Sequence, residues 1–465
     1  DSPSIGSSAS AEMSHAVIAE LRRLFYAPVA PPIEPLAITF DAAASQLPAE
    51  QAEPLLHALR LQPSHGAHYH QLALLAQQYN APHETRAALL ERASALSPSD
   101  AGLKFEVSNA RKDHFYELHT GSTDSGGAAA LKHARKRWLA SLRQVAALEE
   151  GRWSSTVNQN LGTALQLMGK FRESEEHFER ALHLLGLSLK TGQARRDLSE
   201  PERRDAKDTL AALDLSLAHR GKPREALHQL GVTMDFWAQA DQRAPTSRPE
   251  LISCPYHERE HYRGLAAPLE AAAAVMREEM LVLLRRRAAG DEEEASVWYE
   301  DHERIAHRPA QWLRRHVSCV LPQDLAAAPG TCEAVAAAMR WYYAAAAPAG
   351  GEAAAVDPFF LKAQFSLLAP GAHILPHAGP TNERLAISLG LVGLDTAEMR
   401  VGSTWRRWEE GAALVFDDSF EHEVRNPGDG PRAVLIVHFA HPQLMPPGTN
   451  GAEMGTSCRV PDAAG

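Results

Sequence analysis

At 465 residues the chain has room for two or three domains, and 47 Lys and Arg against 58 Asp and Glu leave a formal net charge of −11. That balance argues against a nucleic-acid partner gripped through its phosphates, because the basic surplus is missing. A composition 45% hydrophobic and 23% charged excludes global disorder, and no run of about 18 uncharged apolar residues marks a membrane-spanning helix. The chain opens on Asp1 rather than Met and is expected to be a processed or trimmed product; whether a leader or anchor precedes it stays open.

Residues 1–12 (DSPSIGSSASAE) are small and polar and read as a flexible end. From 13 to 240 apolar residues return at three- and four-residue steps, the signature of amphipathic helices. Within this stretch SSTVNQNLGTALQLMGKFRESEEHFERALHLL (154–185) reads as a helix pair, with Gly169-Lys170-Phe171 at the turn. Gly162 lets the two helices approach, and Phe178 and Ala181 share a face of the second. Around Gly221-Lys222-Pro223 a second copy follows, and an earlier one closes with Leu90, Ala93 and Pro98. A charged insertion (about 190–206) separates the last two copies. The pattern resembles a tetratricopeptide repeat array, which stacks helix pairs and presents a concave groove to a peptide or protein.

Residues 241–264 carry Pro and Ser and read as a linker into a third region, 265–450, with a tail at 451–465. This region begins with helices near 265–289 and 331–347, and Asp291–Glu294 reads as a solvated helix start between them. After Pro358 the text turns to short alternating runs: 362–369, 383–394, 399–408, 412–418, 422–426 and 432–440. Six such strands behind helices predict a double-stranded β-helix, or jelly roll. The fold class expected is therefore multidomain α + β, a helical repeat array followed by that barrel. Four cysteines are too few and scattered for a zinc site or a disulfide framework. Cys319 and Cys332 flank a Pro- and Gly-containing loop and are either disulfide-bonded, which fits an oxidising compartment, or reduced structural residues.

Two histidines have unusual settings. His377 lies on a Pro- and Gly-rich bend, and His422 opens a strand after an acidic turn. Paired neutral imidazoles suit Fe(II), but the usual third ligand, an acid two residues past the first His, is replaced by Gly379. Two structural histidines near turns are the competing account.

The blocks PHAGPTNERLAISLGL (376–391), ALVFDDSFEHEV (413–424) and FAHP (439–442) resemble the aspartyl/asparaginyl β-hydroxylase family. The similarity runs through roughly 310–445. The resemblance implies an Fe(II)- and 2-oxoglutarate-dependent dioxygenase that uses O2, binds iron with two histidines and water, and lacks the third acid. By position it implies His377 and His422 as metal ligands and Asp418 as the acid beside the open coordination position. It implies Arg432 and Ser366 as partners of the far carboxylate of 2-oxoglutarate. In the family an Arg and a His on the next strand also hold the cosubstrate; here those positions are Ala386 and Ser388, so Ser388 and Arg384 are the substitutes expected. The implied reaction is β-carbon hydroxylation of Asp or Asn in a protein or peptide such as an epidermal-growth-factor-like domain, in the endoplasmic reticulum or secretory lumen, with the cytoplasm the other option. Two alternatives stand: the same chemistry on a small molecule or lipid, or a repeat scaffold with an inactive barrel. His373, His438 and His441 read as half-buried structural histidines with backbone partners.

Overall fold

The computed structural model describes residues 54–55, 58, 65–120, 128–148, 154–237, 239–300, 306, 311–344 and 360–454. The expected flexible end, the expected tail beyond residue 454 and most of 13–64 lie outside the described residues. Backbone contacts divide the chain into two compact units that part between Arg220 and Gly221.

The first unit is helical, with α1 (Gly66–Gln78), α2 (His83–Leu96), α3 (Ala101–Thr120), α4 (Ala128–Ala146), α5 (Ser155–Leu167), α6 (Phe171–Leu184) and α7 (Glu200–His219). Successive helices pack on one another, as a hairpin array requires, since no single amphipathic helix can bury its own apolar stripe. Ser154 caps α5 by accepting the Val157 N–H at 3.2 Å. The chain turns at Gly169, whose φ of +71° favours glycine. A Cβ on Gly162 would stand 2.5 Å from the Phe178 ring, so this glycine is what lets α5 and α6 close on each other. The charged insertion holds a two-residue strand ladder (Leu187–Ser188 with Gln193–Ala194) and the Ser199/Glu202 capping box of α7. The helices of the second sequence copy, α7 and α8 (Glu225–Thr233), fall on opposite sides of the unit boundary.

The second unit joins helices to two antiparallel sheets. Its strands are β1 (Tyr256–His257), β2 (Trp298–Glu300), β3 (Trp312–Ser318), β4 (Lys362–Leu368), β5 (Ala372–His377), β6 (Arg384–Val392), β7 (Glu398–Val401), β8 (Thr404–Arg407), β9 (Ala413–Phe416), β10 (His422–Asn426) and β11 (Arg432–Ala440). The larger sheet has the order β1-β9-β6-β11-β4-β3-β2, and the smaller β8-β7-β10-β5. One face of the larger sheet (Phe365, Leu367, Leu385, Ile387, Leu389, Leu435, Val437, Phe439) is buried in a core shared with α9 (Arg263–Ala271), α10 (Ala273–Ala288) and α11 (Pro329–Tyr343). Each such side chain contributes about 1.5–3 kcal/mol on leaving water. The other face alternates Arg314, Ser366, Ser388, Arg432 and His438 with small or apolar residues.

Four expectations are corrected. The run 399–408 is a hairpin rather than one strand, broken at Gly402 (φ +57°). His377 ends a strand rather than sitting on a bend. The stretch 241–264 is no free linker: β1 pairs with β9, the Arg243 and Thr246 N–H groups donate to the carbonyls of Ser419 and Pro380, and Asn382 exchanges hydrogen bonds with Arg248. Its Pro and Ser mark the lack of a regular helix, while its backbone groups still find partners on residues flanking the two sheets. Glu294 is not solvated but buried against Arg315 at 3.0 Å and the Trp298 indole at 2.7 Å.

Cys319, just past β3, is disulfide-bonded to Cys332 in α11, thirteen residues on, and Cys254 is bonded as well, so no cysteine is free among the described residues. Closing a loop of this size removes unfolded-chain entropy worth about 3 kcal/mol. Replacing both Cys319 and Cys332 by Ser should therefore lower the unfolding free energy of the second unit, extrapolated from urea denaturation, by about that amount; an unchanged value contradicts it.

Candidate metal centre

His377 and His422 are register partners at the end of the β5–β10 ladder. Three residues of β5 (375–377) then oppose two of β10 before Ile374 meets Val424, which makes a β-bulge that contains Pro376. A bulge tolerates a proline, which has no N–H to give the ladder, and it re-aims the residue beside it. Here it turns His377 toward the same side as His422, and the two ring centroids lie 4.1 Å apart.

Each imidazole is oriented by the same local device. Nδ1 of His377 bonds the Leu375 carbonyl at 2.8 Å, and Nδ1 of His422 bonds the Phe420 carbonyl at 2.9 Å. A carbonyl only accepts, so Nδ1 carries the proton and Nε2 of each ring presents its lone pair. Burial pushes the His377 imidazole down to about 3, helped by the neighbouring His422, and burial also lowers His422. Both rings are thus neutral near pH 7, the form that binds metal. The Phe416 ring of the larger sheet stands 5.9 Å from His422 and closes the space behind it.

Asp418 is buried beside the pair. Its Oδ2 accepts from Arg384 at 3.0 Å and lies 3.5 Å from His438 Nε2, whereas Oδ1 is buried with no hydrogen bond. Burial alone would raise this carboxyl; the hydrogen bond and charge of His438 and the Arg384 guanidinium outweigh it and hold it well below the usual carboxylate range. A Cβ on Gly379 would come within 2.5–2.8 Å of this carboxylate group. Asp418 therefore occupies the space that a side chain at position 379 would need, which accounts for the glycine two residues past His377.

Arg432 lies at the other end of the inner face, fully enclosed. Among the described residues its hydrogen bonds run to Ser366 alone, to the carbonyl at 3.1 Å and Oγ at 3.3 Å. The guanidinium stacks 4.6 Å over the Trp408 ring, and Nε has no partner. With no carboxylate opposite, burial pushes it down to about 9. Burying a cation without an anion is costly, so a ligand carboxylate is the partner this position fits. Ser366 Oγ accepts from the Trp312 indole at 2.9 Å, and Ser388 Oγ from the Trp408 indole at 3.0 Å.

Arg384, Ser366, Ser388 and Arg432 thus share one face of the larger sheet, the histidine pair ends a ladder of the smaller one, and Asp418 lies in the turn between β9 and β10. Reading the sequence missed what holds them from behind. Glu421 and Glu423, on either side of His422, are buried and bridged by Arg400 at 2.7 and 2.6 Å. Arg224 (2.8 Å) and Arg243 also bind Glu421, and His373 binds Glu423 at 2.7 Å, which ties β5 to β10. The alternation Glu-His-Glu was the available signal, because neighbours in a strand face opposite ways. His441 does bond a backbone carbonyl, that of Ile252, but His373 and His438 pair with acids instead.

If Gly379 and Asp418 compete for one volume, Gly379→Ala should cost about 1–3 kcal/mol of stability. The same change made in Asp418→Ala should cost much less, and equal costs in a denaturation double-mutant cycle would disprove the packing argument.

Residues 274–442 match the family model described as aspartyl/asparaginyl beta-hydroxylase. An aspartyl/asparaginyl beta-hydroxylase of Mus musculus is 46% identical over 84 residues, 18% of this chain and 11% of that protein. An ornithine lipid ester-linked acyl 2-hydroxylase of Rhizobium tropici is 41% identical over 92 residues, 19% of this chain and 33% of that protein. The matches thus span a third or less of these relatives. A solved tetratricopeptide-repeat protein of Thermus thermophilus covers 42% of this chain and 81% of its own at 14% identity, with a TM-score of 0.26 that carries no weight. Residues 274–442, the segment similar to the aspartyl/asparaginyl β-hydroxylase family, hold both histidines, Asp418 and Arg432.

Proposed function

We propose that this chain is an Fe(II)- and 2-oxoglutarate-dependent dioxygenase that hydroxylates the β-carbon of Asp or Asn in a protein or peptide, of which an epidermal-growth-factor-like domain is the type. The observation that carries the reading is the pair of neutral imidazoles with ring centroids 4.1 Å apart and Nε2 unprotonated, together with a buried arginine that has no carboxylate partner among the described residues. In this reading the two sheets form a double-stranded β-helix. The helical unit is a tetratricopeptide array that helps bind the polypeptide.

His377 and His422 would hold the iron, with water rather than a protein acid in the place of a third protein ligand. Iron and 2-oxoglutarate together supply the oxidising chemistry: O2 delivers one oxygen atom to the substrate C–H and the other to succinate, with loss of CO2. Arg432 and Ser366 anchor the cosubstrate's far carboxylate, and the Trp408 ring over the guanidinium keeps that end dry. Asp418, with one carboxylate oxygen unbonded, accepts a hydrogen bond from water in the cavity and so orients it. Ser388 accepts from Trp408 and retains its own proton to donate, whereas the Arg384 guanidinium is committed in part to Asp418. The disulfides favour an oxidising compartment such as the secretory lumen.

The lipid-acyl hydroxylase among the relatives favours a second reading, the same chemistry on a lipid or other small molecule. Incubating the full chain with Fe(II), 2-oxoglutarate and an Asp- or Asn-bearing peptide separates the readings. Succinate with a peptide one oxygen atom heavier supports the first. Succinate without that peptide product favours the second, and no succinate at all leaves a scaffold with an inactive barrel.

His422→Ala should abolish iron-dependent succinate formation while circular dichroism keeps the helical signal; retained turnover would refute the ligand assignment. Arg432→Ala removes a charged hydrogen-bonding partner worth about 1.5–3 kcal/mol. The KM for 2-oxoglutarate should then rise roughly ten- to a hundredfold, and a wild-type value would mean another residue anchors the cosubstrate.

A further inference from the structure

A dicarboxylate bound at one end by Arg432 must bring its second carboxylate toward the histidine pair, where the buried Asp418 carboxylate already stands. Two anions at close range in a poorly solvated cavity repel strongly unless cations or donors lie between them. Strand β6 offers little there: the Ala386 side chain has no donor, and Ser388 brings a single neutral hydroxyl proton and no charge. The ladder places His438 of β11 directly opposite Ala386, on the same inner face as Arg432 six residues earlier. His438 Nε2 lies 3.5 Å from Asp418 Oδ2, a contact long enough to exchange readily for a better one, and its side chain is 31% exposed. Arg384 stands on the same carboxylate oxygen at 3.0 Å, and its Nε is buried without a partner.

We infer that His438 is the binding residue for the cosubstrate carboxylate nearest the histidine pair, with Arg384 beside it. The donor absent from position 386 is thereby supplied from the neighbouring strand. This rests on the reading of the cavity as a 2-oxoglutarate site. His438 donates an N–H to the incoming carboxylate, and Arg384 keeps Asp418 neutralised while it does so.

The test uses the full chain with Mn(II) as a redox-inert metal and N-oxalylglycine, the unreactive amide analogue of 2-oxoglutarate, with titration calorimetry as the readout. His438→Leu should raise the Kd for N-oxalylglycine at least tenfold and leave the Kd for Mn(II) within twofold. His438→Gln, which keeps an N–H donor, should recover most of the loss. N-oxalylglycine binding that Arg432→Ala abolishes but His438→Leu leaves within twofold would overturn this assignment and spare the cosubstrate reading. Loss of Mn(II) binding in His438→Leu would place the residue in the metal site instead and also overturn it. Failure of the wild-type chain to bind N-oxalylglycine would overturn both.

Discussion

The histidine pair depends on one constraint: a buried imidazole must place its N–H on an acceptor, and whichever nitrogen does so decides which is left. In both His377 and His422 the acceptor is a backbone carbonyl two residues earlier, so the orientation is a local property of each strand end. The bulge at Pro376 adds the only long-range condition, that both rings turn to the same side of the ladder. Without it the period-two alternation of β5 would carry its rings in a different sense from that of β10. In the proposed reading these two buried rings, each with its Nε2 lone pair unprotonated, are the protein's ligands for a cation.

Charge placement around that site is uneven, and the unevenness is informative. On the outer side of β10, Glu421 and Glu423 are enclosed by arginines and a histidine, so nearly every buried charge there has a partner. That network fixes the backbone from which His422 projects and ties it to β5 through His373. On the inner side Arg432 has no carboxylate partner among the described residues, and Asp418 retains an unbonded oxygen. That contrast between the two sides is what the proposed ligand site rests on.

Much of this was legible in the sequence, for physical reasons that also explain the gaps. Helix pairing around Gly162 and Phe178 is local and periodic, and the central strands β4, β6 and β11 are long alternating or continuous apolar runs. Strand β3 was missed because Trp312-Leu-Arg-Arg-His-Val-Ser puts a charge on each face; the buried Arg315 is neutralised by Glu294 and Asp324, both outside the strand. The turn at Gly402 was hidden inside an unbroken β-like run. The linker reading rested on Pro and Ser breaking the helical pattern, whereas Arg248 in that segment hydrogen-bonds to Asn382, more than a hundred positions away. Contacts such as Asp418 with Arg384 and His438 depend on strand order and register, which no local pattern encodes.

The central claim is that two imidazoles, and no protein carboxylate, hold a single ferrous ion. X-ray absorption at the iron edge of the Fe(II)-loaded full chain tests it most directly. The account predicts two imidazole nitrogens in the iron shell with the remaining ligands light oxygens, falling to one imidazole in His377→Ala. A shell with no imidazole, or with a histidine count unaffected by that substitution, would contradict it.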